Sequence, residues 1–180
     1  VVENFLDQLI GVGVDPDRVG KEPKDPDGPH RWTSLGSSEV HAFLAPGRVL
    51  GGTAWTFANA AAQPVDLLVV DEAGQLSLAH LLGASALAET VLLLGDPQQL
   101  PQVSRGEHPQ PIGDAALTWI AEGAPVLRAE RGFFLDTSWR MHSALTRAVS
   151  ELSYAGRLGA REEVTDARRL DGVEPGLHPW

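Results

Sequence analysis

The stretch "VDLLVVDEAGQL" at residues 65–76 runs an unbroken apolar segment straight into two adjacent carboxylates, Asp71 and Glu72. Two other segments share that shape: "RVLGGTAW" (48–55) and "TVLLLGDP" (90–97) are short apolar runs closing on small or acidic residues. A strand wetted on one side would alternate apolar and polar positions, so these continuous runs predict parallel strands covered on both faces. Helical patterns separate them. "SLAHLLGASALA" (77–88) reads as a helix opened by Ser77, and "DAALTWIAEGA" (114–124) as one opened by Asp114. In "SALTRAVSELSYAGRL" (143–158), Ala144, Leu145, Ala148, Val149 and Leu152 share a face, with Ser143 able to cap it. Residues 1–10 place Val2, Phe5, Leu6 and Leu9 at helical spacing. The Gly-, Pro- and Asp-rich segment 11–30 reads as loop with one short strand near Arg18–Val19. Alternating strands and helices predict an α/β domain on a parallel sheet. Ligands of such sheets bind just outside the carboxyl ends of the strands, where Asp71, Glu72, Gly95 and Asp96 all fall.

A chain of 180 residues, 43% hydrophobic, is long enough to bury a real core. The 14 basic against 24 acidic residues give a formal charge of −10, which argues against a protein that coats nucleic acid with a broad basic face. Lys21 and Lys24 are the only lysines, so arginine carries nearly all the positive charge. The absence of cysteine excludes disulfide scaffolds and thiolate zinc sites. No apolar run approaches the length of a membrane span, and "VVENFLDQLI" lacks the basic start and cleavage pattern of a signal peptide. The expected location is the cytoplasm, with no membrane partner.

Three clusters carry candidate chemistry. At a fraying strand end, Asp71 and Glu72 can both reach one cavity, one acid holding hydrated magnesium and the next orienting and deprotonating a water. Alone, such a pair is equally well read as exposed turn acids capping a helix. In "LLLGDPQQLPQV" (92–103), Gly95 lets backbone approach a ligand closely, Asp96 can stand behind a metal, and a glutamine can bridge a terminal phosphate to a neighbouring loop. An ordinary β-turn is the plainer reading of that string, but two acid-terminated apolar strands both followed by Gln make it the weaker one. In "FLDTSWRMHSAL" (134–145), the Arg140 guanidinium suits the charge spread over phosphoryl oxygens, and Trp139 offers a flat surface for an adenine ring. Alone, these two would read as a surface ion pair and a core anchor.

Together, "VVDEAGQ", "GDPQQLPQV" and "LDTSWRMHSAL…LSYAGRL" resemble motifs II, III and IV of superfamily 1 helicases, closest to the nonsense-decay and DNA-replication subgroup. "VLGGTAW" resembles the strand bearing that family's Thr-containing nucleic-acid motif, and a looser similarity extends to bacterial helicases fused to RecB-type nucleases. The resemblance covers residues 1–158 as a partial RecA-like motor domain with the start of its linker, leaving 159–180 as a charged peripheral or partly ordered segment. It implies a partial RecA-like, P-loop NTPase parallel sheet flanked by helices, using ATP and Mg2+. It implies Asp71 as magnesium ligand, Glu72 as catalytic base, Gln99 as phosphate-sensing glutamine, Arg140 as arginine finger and Trp139 as adenine-stacking aromatic, with Gly95 and Asp96 also at the nucleotide. Thr53, Pro101 and Val103 become the candidates for contact with a single strand, DNA ahead of RNA. Trp139 stands where the family commonly has Tyr, and Ser143 where Pro often follows the "MH" pair.

The family's phosphate loop, G-x-x-x-x-G-K-[ST], is missing from these residues. Its nearest imitation, Gly13…Gly20-Lys21, has the wrong spacing, puts Glu22 where the hydroxyl belongs, and carries Asp15, Pro16 and Asp17 where phosphate would bind. Motifs V and VI are missing too. The expectation is therefore an excised middle of a longer helicase, binding ATP poorly and hydrolysing it negligibly by itself, and prone to self-association through an exposed sheet edge. The alternative is a non-enzymatic interaction domain on a degenerate helicase scaffold. A metal-dependent hydrolase ranks last, because the six histidines show no paired ligand spacing.

Overall fold

The computed structural model describes residues 2–25, 28–59, 62–100, 109 and 111–168. Helix α1 (Val2–Gly11) leads through a 3-10 turn to β1 (Val19–Lys21), followed by β2 (Thr33–Ser34), β3 (Val49–Gly51) and α2 (Ala54–Phe57). Next come β4 (Val65–Val70), α3 (Leu78–Ser85), β5 (Ala88–Leu93) and α4 (Ala116–Ile120). The described chain closes with β6 (Thr137–Ser138), α5 (Ser143–Ser153), β7 (Gly159–Ala160) and α6 (Glu162–Thr165). It divides into two compact units, Val1–Leu117 and Thr118–Trp180. Among the described residues, no helix is long and apolar enough to cross a membrane.

The first unit holds two parallel sheets. One has the order β2-β1-β3, and β4 pairs with β5 in the other. The strand expected near Arg18–Val19 is thus the central strand of a sheet. The three apolar runs do not share one sheet, since 48–55 supplies β3 and the other two form the β4–β5 pair. Leu6 of α1 packs with Val19 and Trp32, flanked by Val2, Leu9, Ile10, Val14 and Val49. Leu35, Val40, Phe43 and Leu50 form a second cluster. Both clusters belong to the three-stranded sheet.

Two expectations are corrected here. The continuous runs predict strands covered on both faces, yet Leu67 and Leu92 stay 52% and 46% exposed while Leu68 is buried. Among the described residues, the helices that follow these strands are short, eight residues in α3 and five in α4, and the face carrying Leu67 and Leu92 is left open. The helix read at 77–88 stops at Ser85, because the Leu87 carbonyl already accepts the Val65 N–H at 3.0 Å and strand pairing takes over.

In the second unit, β6 and β7 pair in parallel, Thr137 opposite Gly159 and Ser138 opposite Ala160. α5 rests on this pair with Thr146 and Ser150 buried, the Thr146 hydroxyl donating to the Met141 and His142 carbonyls.

Candidate active site

β4 and β5 end side by side, with Val70 opposite Leu93. The loops that follow are locked together by backbone. Leu94 N–H donates to the Val70 carbonyl at 2.8 Å, and Ala73 N–H to the Leu94 carbonyl at 2.9 Å. The approach is so close that only glycine fits at two positions. A Cβ on Gly95 would lie 2.8 Å from Ala73 N, and one on Gly74 would collide with the Asp96 carbonyl. Side chains complete the tie, since the Gln75 amide donates to Gln99 Oε1 at 3.3 Å.

Asp71, Glu72, Gly95, Asp96 and Gln99 are therefore gathered on two interlocked loops at the carboxyl ends of adjacent parallel strands. Asp71 is exposed, and its Oδ1 accepts the Glu72 N–H at 3.0 Å. Asp96 Oδ1 accepts the Gln98 N–H at 2.9 Å, which shapes the turn that presents Gln99. Glu72 has φ 56°, in the left-handed region. The other described non-glycine residues with positive φ, Glu122 and Ala155, each precede a glycine in a turn just past a helix. Glu72 instead follows a strand. Left-handed backbone costs a side-chain-bearing residue about 1 kcal/mol or more, and glycine would escape that cost. Glutamate at this position argues that its carboxylate has a use.

The donor set suits a hard divalent cation shared with a phosphate ligand. Magnesium is held by one or two carboxylates, with waters and substrate phosphates filling its other positions. Asp71 and Glu72 are of that kind. Among the described residues, no group of three or more His, Cys, Asp or Glu could enclose a metal alone. The phosphate-loop imitation is accounted for structurally. Lys21 lies on β1, and its ammonium donates to Glu3 Oε1 at 3.1 Å and to the Glu22 carbonyl at 2.7 Å, 5.6 Å from the centre of the Trp32 ring. That hydrogen bond, and the Lys21 charge behind it, hold the Glu3 carboxyl below its usual range.

The remaining candidates lie elsewhere. Thr53 follows β3, on the other sheet of the first unit, where its N–H is met by Thr56 Oγ1 at 3.2 Å. Pro101 and Val103 lie outside the described residues. Trp139 and Arg140 belong to the second unit, just past β6, and both are exposed. The Arg161 guanidinium lies 5.0 Å from the Trp139 ring centre. The cap expected from Ser143 is supplied differently: His142 Nδ1 accepts the Ala144 N–H at 3.3 Å, while Ser143 gives its own N–H and hydroxyl to Asp166.

Sequence reasoning used Gln75 only as the glutamine following the first acid-terminated strand, without a role in the site, and passed over the group Arg161, Asp166 and Arg168. Gln75 had a signal, standing three positions past Glu72 in the same string. Asp166 had none, because it meets Ser143 across 23 positions of chain.

The AAA domain family matches residues 31–174, well over half of the chain. The mixed α/β architecture with short parallel sheets is that of a partial P-loop NTPase fold. Over 118 residues the chain is 27% identical to the DNA replication ATP-dependent helicase/nuclease JHS1 of Arabidopsis thaliana, a match covering 64% of this chain and 9% of that protein. The chain thus spans less than a tenth of the length of that curated relative.

Proposed function

The chain belongs to the AAA domain family, and on that premise we propose that it is the part of an ATP-dependent helicase motor supplying the magnesium ligand, catalytic base and phosphate-sensing glutamine. The observation that carries this reading is the interlock of the two strand-end loops, which gathers Asp71, Glu72, Asp96 and Gln99. The similarity to a DNA replication helicase/nuclease supports it from another direction.

In this reading Asp71 holds magnesium and Glu72 takes a proton from the water that attacks the terminal phosphate. Magnesium, when bound with ATP, neutralises charge developing on the phosphoryl oxygens. Gln99 senses the terminal phosphate, and its bond to Gln75 passes any shift of one loop to the other. Gly95 and Asp96 line the nucleotide, Arg140 acts as arginine finger and Trp139 stacks on adenine. Thr53, Pro101 and Val103 contact single-stranded nucleic acid, DNA ahead of RNA. Residues 1–158 form the motor portion of a superfamily 1 enzyme of the nonsense-decay and replication type, in the cytoplasm, with 159–180 as a charged C-terminal segment whose start, β7 and α6, packs against that portion's β6 and α5, and a RecB-type nuclease elsewhere in the protein. The isolated chain self-associates through an open edge of the two-stranded β4–β5 pair, and the exposed Leu67 and Leu92 add an apolar patch on one of its faces.

One observation favours the alternative of a non-enzymatic interaction domain: Lys21, in the nearest phosphate-loop imitation, is consumed by Glu3 and Glu22. Strand-stimulated ATP hydrolysis separates the readings, measured on these 180 residues and on the complete protein encoded by the same open reading frame. Turnover confined to the complete protein supports the motor. Robust turnover by the chain alone would contradict a site completed by other segments. No turnover in either would favour the interaction domain.

A further inference from the structure

In the second unit, a segment near the end of the described chain fastens the Arg140 loop at three points. Arg168 Nη1 donates to the Arg140 carbonyl at 2.8 Å. Asp166 accepts the Ser143 N–H at 2.9 Å on Oδ1 and the Ser143 hydroxyl at 2.6 Å on Oδ2. Arg161 lies over the Trp139 ring, and its N–H donates to the Ser138 carbonyl at 2.9 Å. The fastening segment is itself braced, because the buried Thr165 hydroxyl donates to the Arg161 carbonyl and to Asp166 Oδ1, both at 3.1 Å. The backbone is thus tied before, at and after residue 140. Its guanidinium is not spent in these ties, for Arg140 is exposed and no ion pair among the described residues involves it.

We propose that Arg161, Asp166 and Arg168 are positioning residues for Arg140, fixing the backbone from which its guanidinium reaches a phosphoryl group. The proposal rests on the reading of Arg140 as an arginine finger. A guanidinium on a long, rotatable stem stabilises transition-state charge only when its base is fixed, since misplacement by about 1 Å costs on the order of 100-fold in rate. Clamping the main chain fixes the base without covering the charged end.

The test joins hydrogen exchange at residues 139–143 with steady-state ATP hydrolysis in the complete protein. Asp166→Ala and Arg168→Ala should raise exchange at 139–143 while α1 and β1 keep wild-type protection. Both should lower kcat about tenfold with KM for ATP changed less than about twofold. Arg168→Lys, which can still donate to a carbonyl, should restore most of kcat. In an Arg140→Ala background the clamp substitutions should cost nothing further. An equal additional loss there would overturn the proposal, because the clamp would then act on something other than Arg140. Wild-type exchange at 139–143 in Asp166→Ala would overturn it while leaving the finger reading intact. Wild-type kcat in Arg140→Ala would overturn the finger reading and the positioning role together, whatever the exchange data show.

Discussion

The side-chain amide of Gln75 donates to Gln99 Oε1 at 3.3 Å, joining the loop after one strand to the loop after its parallel neighbour. Beneath that bond the two backbones touch, with Gly74 against the Asp96 carbonyl. The carboxylates and the phosphate-sensing candidate therefore keep their spacing only while glycine occupies position 74. Gly74→Ala should destabilise the first unit by about 2 kcal/mol, the usual scale for forcing atoms into a filled space. Urea unfolding would register this as a lower midpoint, and an unchanged midpoint would mean that the loops are not in contact.

Glu72 bears a strained backbone that a residue without Cβ would relax. Glu72→Gly is expected to leave stability unchanged or raise it by up to about 1 kcal/mol, relief of strain being partly offset by the freedom glycine gives the unfolded chain. Hydrolysis by the complete protein should disappear in the same variant. A loss of stability beyond about 1 kcal/mol in urea titrations would show that the carboxylate serves the fold instead.

Lys21 tests whether the glycine–lysine string is structural. Lys21→Ala should cost about 1–2 kcal/mol through lost stem packing and hydrogen bonds, and should leave ATP affinity of the complete protein unchanged. With its partner gone, the Glu3 carboxyl should titrate back toward its ordinary range, which carboxyl carbon NMR can follow. A fall in ATP affinity without a fall in stability would assign Lys21 to phosphate instead.

Asp166 sets a pH dependence. The Ser143 hydroxyl and amide bonds hold its carboxyl below the ordinary aspartate value of 3.8. A carboxylate depressed by folding contributes stability above its unfolded pKa and loses it as pH falls through the folded one. The Ser143–Asp166 tie should therefore be constant from neutral pH down to 3.8 and weaken only below it. The NMR midpoint of Asp166 should lie under 3.8 in the wild type and rise toward it in Ser143→Ala. A wild-type midpoint at or above 3.8 would remove the tie.

Much of this was legible in the sequence for local reasons. Apolar runs ending in Asp71-Glu72 and Gly95-Asp96 place two strand ends, and Ser77 accepts the His80 N–H as a helix-opening serine should. What escaped depends on distant partners. Nothing in "RVLGGTAW" says that it joins β1 while the other two runs pair with each other, because sheet membership follows from packing. Leu67 and Leu92 look like buried residues in the string, yet burial needs a covering layer that the string does not contain. Ser143 has the composition of a cap, but a carboxylate 23 positions away claims its donors.

The most direct measurement is strand-stimulated ATP hydrolysis by the complete protein with Glu72→Gln beside wild type, ATP affinity being measured in parallel. If Glu72 is the base, kcat falls by on the order of 100-fold or more while ATP still binds, because the amide keeps the shape of the side chain but cannot take the proton. Wild-type turnover in Glu72→Gln would contradict the assignment.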